Sequence, residues 1–206
     1  MGRISSNKLE FVRGLYEKGL SMREIGQKLN TSLNAVVYFM RKNNIQRRSF
    51  SEINRLRFDK KKPSFSLKTL DTPRSRELQT MGAMLYWGEG YKSEKATFVD
   101  FANSDPEMIS VFLRFLRGTY ELDPRKFRIL LYCYSSQNVE LLIRFWSRLT
   151  GIPPRQFTKP YIRGDFKPDG RKMEHGLIHV RYIDKKLLLE LKSLIQSYKE
   201  KYAPVG

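Results

Sequence analysis

Glu89 raises the sharpest chemical question in this chain. It closes the stretch Gly82-Ala83-Met84-Leu85-Tyr86-Trp87-Gly88-Glu89-Gly90, a run of small and apolar residues that reads as the end of a helix over 75–89. A carboxylate at a helix C-terminus meets the negative end of the dipole. An acid placed there against local preference, with Gly after it, points to function. Little else in the chain is reactive. One cysteine forms no intramolecular disulfide, and two histidines with one cysteine build no structural zinc site. Cys133, set among Leu and Tyr, reads as a core residue, and His179 as structural or facing a nucleic acid.

The charge balance names the partner class. Lys and Arg number 39 against 21 Asp and Glu, a net charge of +18 over 206 residues. Such an excess calls for a polyanion. Apolar residues make up 40% and aromatics 13%, far more folded sequence than a polybasic membrane anchor needs, so nucleic acid is favoured over a lipid surface. No apolar run approaches the ~20 residues of a membrane span. The start, Met1-Gly2-Arg3-Ile4-Ser5-Ser6, lacks a signal-peptide apolar stretch, and Arg3 makes it a poor myristoylation start. The expectation is a cytoplasmic protein, nucleoid-associated when bound to DNA, with no membrane partner and no small-molecule cofactor.

Elements must position these residues, and 7–45 reads as three short helices. Leu9, Val12, Leu15 and Tyr16 share one face of the first, and Gly19 ends it. Ser21 and Glu24 have capping-box spacing at the start of the second, which turns Ile25 and Leu29 inward. Ser32 caps the third, with Val36 and Met40 inward. The stretch Gly19-Leu20-Ser21-Met22-Arg23-Glu24-Ile25-Gly26-Gln27-Lys28-Leu29-Asn30-Thr31-Ser32 resembles a helix-turn-helix DNA reader, with Gly26 where Ala is usual. The resemblance implies that the third helix enters a major groove. Ser32, Asn34, Val37, Tyr38 and Arg41 would then face the DNA, Asn suited to adenine edges and Arg to guanine or phosphate.

Residues 47–75 read as a basic linker. Pro63, Pro73 and scattered Ser and Thr mark a weakly structured connector, in which a short helix over 51–58 is possible. Arg47, Arg48 and Arg55 would track phosphates, giving affinity and register rather than sequence preference.

From residue 76 the pattern is mixed. The expected order is helix 75–89, strand 97–102, helix to about 120 capped by Ser104 with Glu107, strand 127–134, helix 137–149, a possible strand 156–162, a turn-rich loop 165–172, strand 176–182 and helix 184–198. Alternation sets Arg128, Tyr132 and Tyr134 on one strand face and Ile129, Leu131 and Cys133 on the other. His179 and Arg181 likewise alternate with Ile178, Val180 and Tyr182. Arg163, Lys167, Arg171 and Lys172 are basic loop residues suited to phosphate, and Trp146 reads as core. The domain expectation is 1–46, 47–75 and 76–206.

The stretch Gly82–Gly90 resembles the LAGLIDADG homing-endonuclease motif, in which an acid followed by Gly ends a helix of small and apolar residues. The segment Phe101-Ala102-Asn103-Ser104-Asp105 before an amphipathic helix, and the N-terminal helix-turn-helix, are similar to members of that family. The resemblance implies an α+β fold: a LAGLIDADG-like mixed α/β domain with an antiparallel sheet that forms the DNA platform, preceded by a small all-α helix-turn-helix domain. It implies a site-specific double-stranded DNA endonuclease that uses Mg²⁺. Glu89 would be the catalytic, metal-binding carboxylate, and the Gly88 carbonyl a second ligand. Lys159 would be the catalytic basic residue. Arg128, Tyr132, His179 and Arg181 would bind DNA from the sheet. In the family two such helices pack closely through small residues, so a chain with one motif would act as a homodimer. Met84 stands where the family usually has Gly, and Tyr86 and Trp87 are bulky. The alternative is a DNA-binding transcriptional regulator that keeps the fold without cutting; relatives that assist intron splicing make an RNA-processing role a third reading.

Overall fold

The computed structural model describes residues 4–164 and 173–203 and contains eight α-helices and six strands among them, an α+β protein. The chain divides into two compact units, Met1–Lys62 and Pro63–Gly206. The loop 165–172, with Lys167, Arg171 and Lys172, lies outside the described residues.

The first unit holds α1 (Leu9–Glu17), α2 (Met22–Lys28), α3 (Leu33–Lys42) and α4 (Phe50–Lys60). Val12, Tyr16, Ile25, Val36, Phe39 and Met40 form its core. Gly19 takes φ +87°, the left-handed turn that lets α1 stop and α2 start at once. The Ser21–Glu24 capping box is present: Glu24 N donates to Ser21 Oγ at 3.2 Å, and Ser21 N to Glu24 Oε2 at 2.6 Å. Gly26 is buried within α2 against the turn to α3, where a Cβ would lie 3.0 Å from the Thr31 carbonyl oxygen.

Residues 47–75 are more ordered than a connector. Ser49 and Glu52 make a second capping box that starts α4, longer than the helix expected over 51–58. Ile53 and Leu56 are half-buried, one helical turn apart, and the Leu56 side chain reaches Gly19. Lys60 Nζ pairs with Glu24 at 3.4 Å. Beyond Pro63, β1 (Phe65–Leu67) pairs antiparallel with β3 (Tyr120–Leu122).

The second unit continues with α5 (Pro73–Glu89), β2 (Val99–Asn103), α6 (Pro106–Thr119), then β3, β4 (Phe127–Tyr134), α7 (Val139–Thr150), β5 (Tyr161–Arg163), β6 (Leu177–Tyr182) and α8 (Lys185–Tyr202). Four strands form one sheet in the order β2-β6-β4-β5. β2, β6 and β4 are antiparallel neighbours, but β5 runs parallel to β4, so the expected wholly antiparallel sheet is corrected at that edge. The reason lies in the connection. Helix α7 carries the chain back to the start of β4, the crossover that a parallel pair requires.

Asp105, not Ser104, caps α6, because its Oδ1 accepts from the Glu107 amide at 2.7 Å. The inward residues of β2, β4 and β6 join Tyr86, Phe112, Phe115, Trp146, Leu188 and Leu191 of the helices in one core. Burying each such large side chain contributes about 1.5–3 kcal/mol. Trp146 and Cys133 lie in this core, as their neighbours in the sequence imply. Burial pushes the Cys133 thiol up, away from the reactive thiolate.

Candidate functional site

Helix α3 keeps its candidate reading face open. Asn34, Tyr38 and Arg41 are exposed and Val37 is half-buried, while Val36, Phe39 and Met40 hold the opposite side in the core. Ser32 is the N-cap, its Oγ accepting from the Ala35 amide at 3.1 Å, so its first job is to start the helix. Arg47 and Arg55 are exposed. Arg48 is committed internally. Its guanidinium lies 3.9 Å from the centre of the Tyr16 ring, and Nη1 donates to the Leu20 carbonyl at 2.9 Å. That arginine ties the segment before α4 to α1.

The end of α5 resolves the roles of the small residues around Glu89. Gly82 and Ala83 are buried and face their own core. A Cβ on Gly82 would lie 1.9 Å from the Phe115 ring, so this glycine lets α6 approach α5 rather than a second copy. Gly90 answers another close approach: a Cβ there would lie 2.3 Å from the Tyr86 ring. Tyr86 is fully buried, stacked on Phe112 with centroids 5.8 Å apart, and its hydroxyl donates to the Tyr91 carbonyl at 3.0 Å. Burial pushes that phenol well above its ordinary pKa. The bulk of Tyr86 therefore points inward, and Trp87 is the bulky residue that remains outside, with the Lys199 ammonium 5.0 Å from its ring centre.

Gly88 is the small residue on the outer side. It is exposed, and a Cβ there would meet nothing within 4 Å. Met81 shares that outer side at 48% exposure, with Met84 half-buried between them. Glu89 is exposed, and no described side chain or amide donates a hydrogen bond to its carboxylate.

Lys92 is a residue of this site that the sequence reading misses. Its ammonium donates to the Tyr86 carbonyl at 3.1 Å and to the Gly90 carbonyl, closing the helix end. Burial pushes its pKa down; Glu89 opposes that shift, and the Lys199 and Lys192 charges add to it. Lys192 in turn donates to the Ser93 carbonyl at 3.2 Å. Lys92 thus has one acid and two further lysines as its charged neighbours. The sequence signal for Lys92 is weak, because its partners are backbone carbonyls.

Lys159 is exposed on the segment entering β5. The neighbouring Thr158 amide donates to Ile129 of β4 at 2.7 Å. The end of α5 meets the opposite edge: Gly90 bridges to Phe101 and the Tyr91 amide donates to Asp100, both on β2. Three strand spacings, roughly 14 Å, separate those edges. The structure therefore does not bring Lys159 to Glu89; the basic group beside Glu89 is Lys92.

On the sheet face away from the core, Arg128, Tyr132, Tyr134, His179 and Arg181 are half-buried as the alternation required. Tyr132 packs against Tyr161 and His179, with ring centres 4.9 and 5.1 Å apart. Asp100, 6% exposed, joins this face. Arg163 pairs with Tyr134 in the β4–β5 register, placing it in a strand rather than a loop.

A hard divalent cation takes oxygen donors from one or two carboxylates, water and phosphates. The Glu89 carboxylate and the Gly88 carbonyl, one of the last four of its helix, fit part of such a shell. Among the described residues no three His, Cys, Asp or Glu side chains gather into a metal cage. Among them, too, no helix is long and apolar enough to cross a membrane. Compared with protein-family models, curated proteins and solved structures, the chain matches none.

Proposed function

We infer that the chain is a site-specific double-stranded DNA endonuclease of the LAGLIDADG type, acting as a homodimer with Mg²⁺. The observation that carries this reading is the end of α5: an exposed Glu89, free of internal hydrogen-bond donors, beside a Gly88 with open space around it. A carboxylate at the negative end of a helix is disfavoured by the dipole, and Lys92 beside it offsets that cost without donating a hydrogen bond to it.

In this reading Mg²⁺, when bound, activates a water and neutralises the charge that develops on the phosphate. Glu89 and the Gly88 carbonyl would hold it. The outer side of α5, with Met81, Met84 and Gly88, is where the twin helix would approach, and a C2 pair matches a roughly palindromic target. Arg128, Tyr132, His179 and Arg181 bind phosphates from the sheet, and Asn34, Tyr38 and Arg41 read bases. Lys92 keeps the last turn of α5 closed, so that Glu89 stays aimed.

A second reading, a DNA-binding regulator, has one specific observation in its favour. Lys92 already sets a positive charge on the carbonyls at the helix end, with Lys192 and Lys199 near it. Those lysines offset Glu89 against DNA without any metal. Duplexes selected from a randomised pool separate the two readings. The nuclease reading expects Mg²⁺-dependent cutting that Glu89→Gln abolishes while binding persists. Tight binding by the wild type without cutting gives the regulator.

A further inference from the structure

Asp100 is a nearly buried charge that the proposed function leaves unused. It lies near the start of β2, between Val99 and Phe101, and is 6% exposed. A buried carboxylate survives only with partners. Its partners are both basic: Oδ1 lies 2.8 Å from His179 Nδ1, and Oδ2 accepts from Arg181 Nε at 2.9 Å.

The strand register sets these groups in a row. Asp100 on β2 stands opposite Arg181 on β6, and Arg181 stands opposite Arg128 on β4. His179 is two residues along β6 from Arg181, on the same face. Two like charges directly opposite on neighbouring strands disfavour the sheet. One carboxylate does not offset two arginines, so the row carries surplus positive charge and invites an anion. Its geometry is fixed from several sides. The Arg181 guanidinium lies 5.4 Å from the centre of the Phe98 ring, Tyr132 packs on His179, and Arg128 Nη1 donates to the Arg125 and Phe127 carbonyls at 2.8 and 2.6 Å. Among the described residues, no hydrogen bond uses His179 Nε2 or either terminal nitrogen of Arg181.

We propose that Asp100 is a positioning residue for a phosphate-binding site on the outer face of the sheet. It grips one nitrogen of His179 and one of Arg181, and so presents the remaining nitrogens, with Arg128, to a phosphodiester of nucleic acid. A planar guanidinium held at Nε keeps two parallel donors for phosphate oxygens. An imidazole held at Nδ1 has its other nitrogen set by that bond. The backbone adds a link to the candidate reaction centre: the Asp100 carbonyl accepts from the Tyr91 amide at 2.9 Å, two residues beyond Glu89. The proposal rests on the nucleic-acid reading above and deepens it.

The sign of one mutation separates positioning from simple charge. Removing a negative charge from a DNA-facing surface should tighten DNA binding if Asp100 merely repels phosphate. If Asp100 positions the cations, Asp100→Asn weakens it. The experiment measures duplex affinity of the full chain by fluorescence anisotropy across a salt series, with thermal unfolding as the folding control. The expected result for Asp100→Asn is a loss of about tenfold in affinity. The salt slope should also become shallower, by ~0.9 for each of the one or two phosphates no longer held. Arg181→Lys, which keeps the charge and loses the Nε grip, should flatten the slope as well. It carries the test if Asp100→Asn fails to fold. A folded Asp100→Asn protein that binds as tightly as wild type, or an unchanged slope in Arg181→Lys, overturns the assignment. Wild-type protein that binds no duplex overturns the nucleic-acid reading itself, and the site with it.

Discussion

Gly82 and Gly88 share one helix and meet opposite surroundings, which makes them a matched pair of probes. The Phe115 ring fills the space where a Gly82 side chain would go. Gly82→Ala should therefore lower stability by about 1–3 kcal/mol through overpacking, read from urea unfolding. Gly88 has open space, and in a helix Ala outranks Gly by up to about 1 kcal/mol. Gly88→Ala should keep or slightly raise stability. If the outer side of α5 receives a second copy, the same substitution should weaken dimerisation, read by analytical ultracentrifugation on DNA. A dimer that tolerates Gly88→Ala without loss would remove this face from the interface. The two glycines look alike in the sequence. Which of them serves the internal core depends on Phe115, a residue of the following helix, and no local pattern contains that information. Asp100 is legible in part, because a lone acid inside Val99-Asp100-Phe101 demands a partner. What the strand cannot reveal is that both partners sit on β6, the last strand of the sheet in the chain.

At the scale of elements, the clearest signals are caps and alternation. Strand β4 ends where its pattern of Ile, Leu and Tyr ends, and α2 starts at its capping box. Helix α4 carries the same signal, Ser49 with Glu52, inside a basic stretch whose charge alone suits a connector. Strand β5 has three exposed residues and no alternation, so its parallel pairing with β4 leaves no trace in the residues. The capping boxes make a pH prediction. Hydrogen bonds from the Ser21 amide and hydroxyl lower the Glu24 pKa from the ordinary 4.5 to about 2, with Lys60 adding to the shift. A depressed carboxylate stabilises the fold above its unfolded pKa and loses that contribution as pH falls through the folded one. The stability of the first unit should thus decline between about pH 4.5 and 2. Glu24→Gln should flatten that decline. Ser21→Ala should cost about 1 kcal/mol at neutral pH. A pH profile of helical circular dichroism unchanged by Glu24→Gln would contradict the role of this cap.

For the whole molecule, the boundary after Lys62 and a separate core on each side predict independent folding. Residues 63–206 expressed alone should unfold cooperatively with near-ultraviolet dichroism from Trp146 in its core, and residues 1–62 should give a helical spectrum. Noncooperative melting of either piece would contradict that division. The surplus of +18 is spread over both units: the exposed Arg41, Arg47 and Arg55 in the first, and in the second the row of Arg128 and Arg181 with Lys92 and its neighbours Lys192 and Lys199. Such a spread suits a long duplex footprint rather than a single patch, and affinity should fall steeply with salt. Against that background Glu89 is the residue on which the nuclease reading turns. The most direct measurement is the cleavage of a selected duplex with and without Mg²⁺ by wild type and Glu89→Gln at matched DNA occupancy. The expected result is two-strand cutting by the wild type with Mg²⁺ alone and intact DNA with the variant. Intact DNA under saturating wild-type protein and Mg²⁺, or cutting that survives Glu89→Gln, would contradict it.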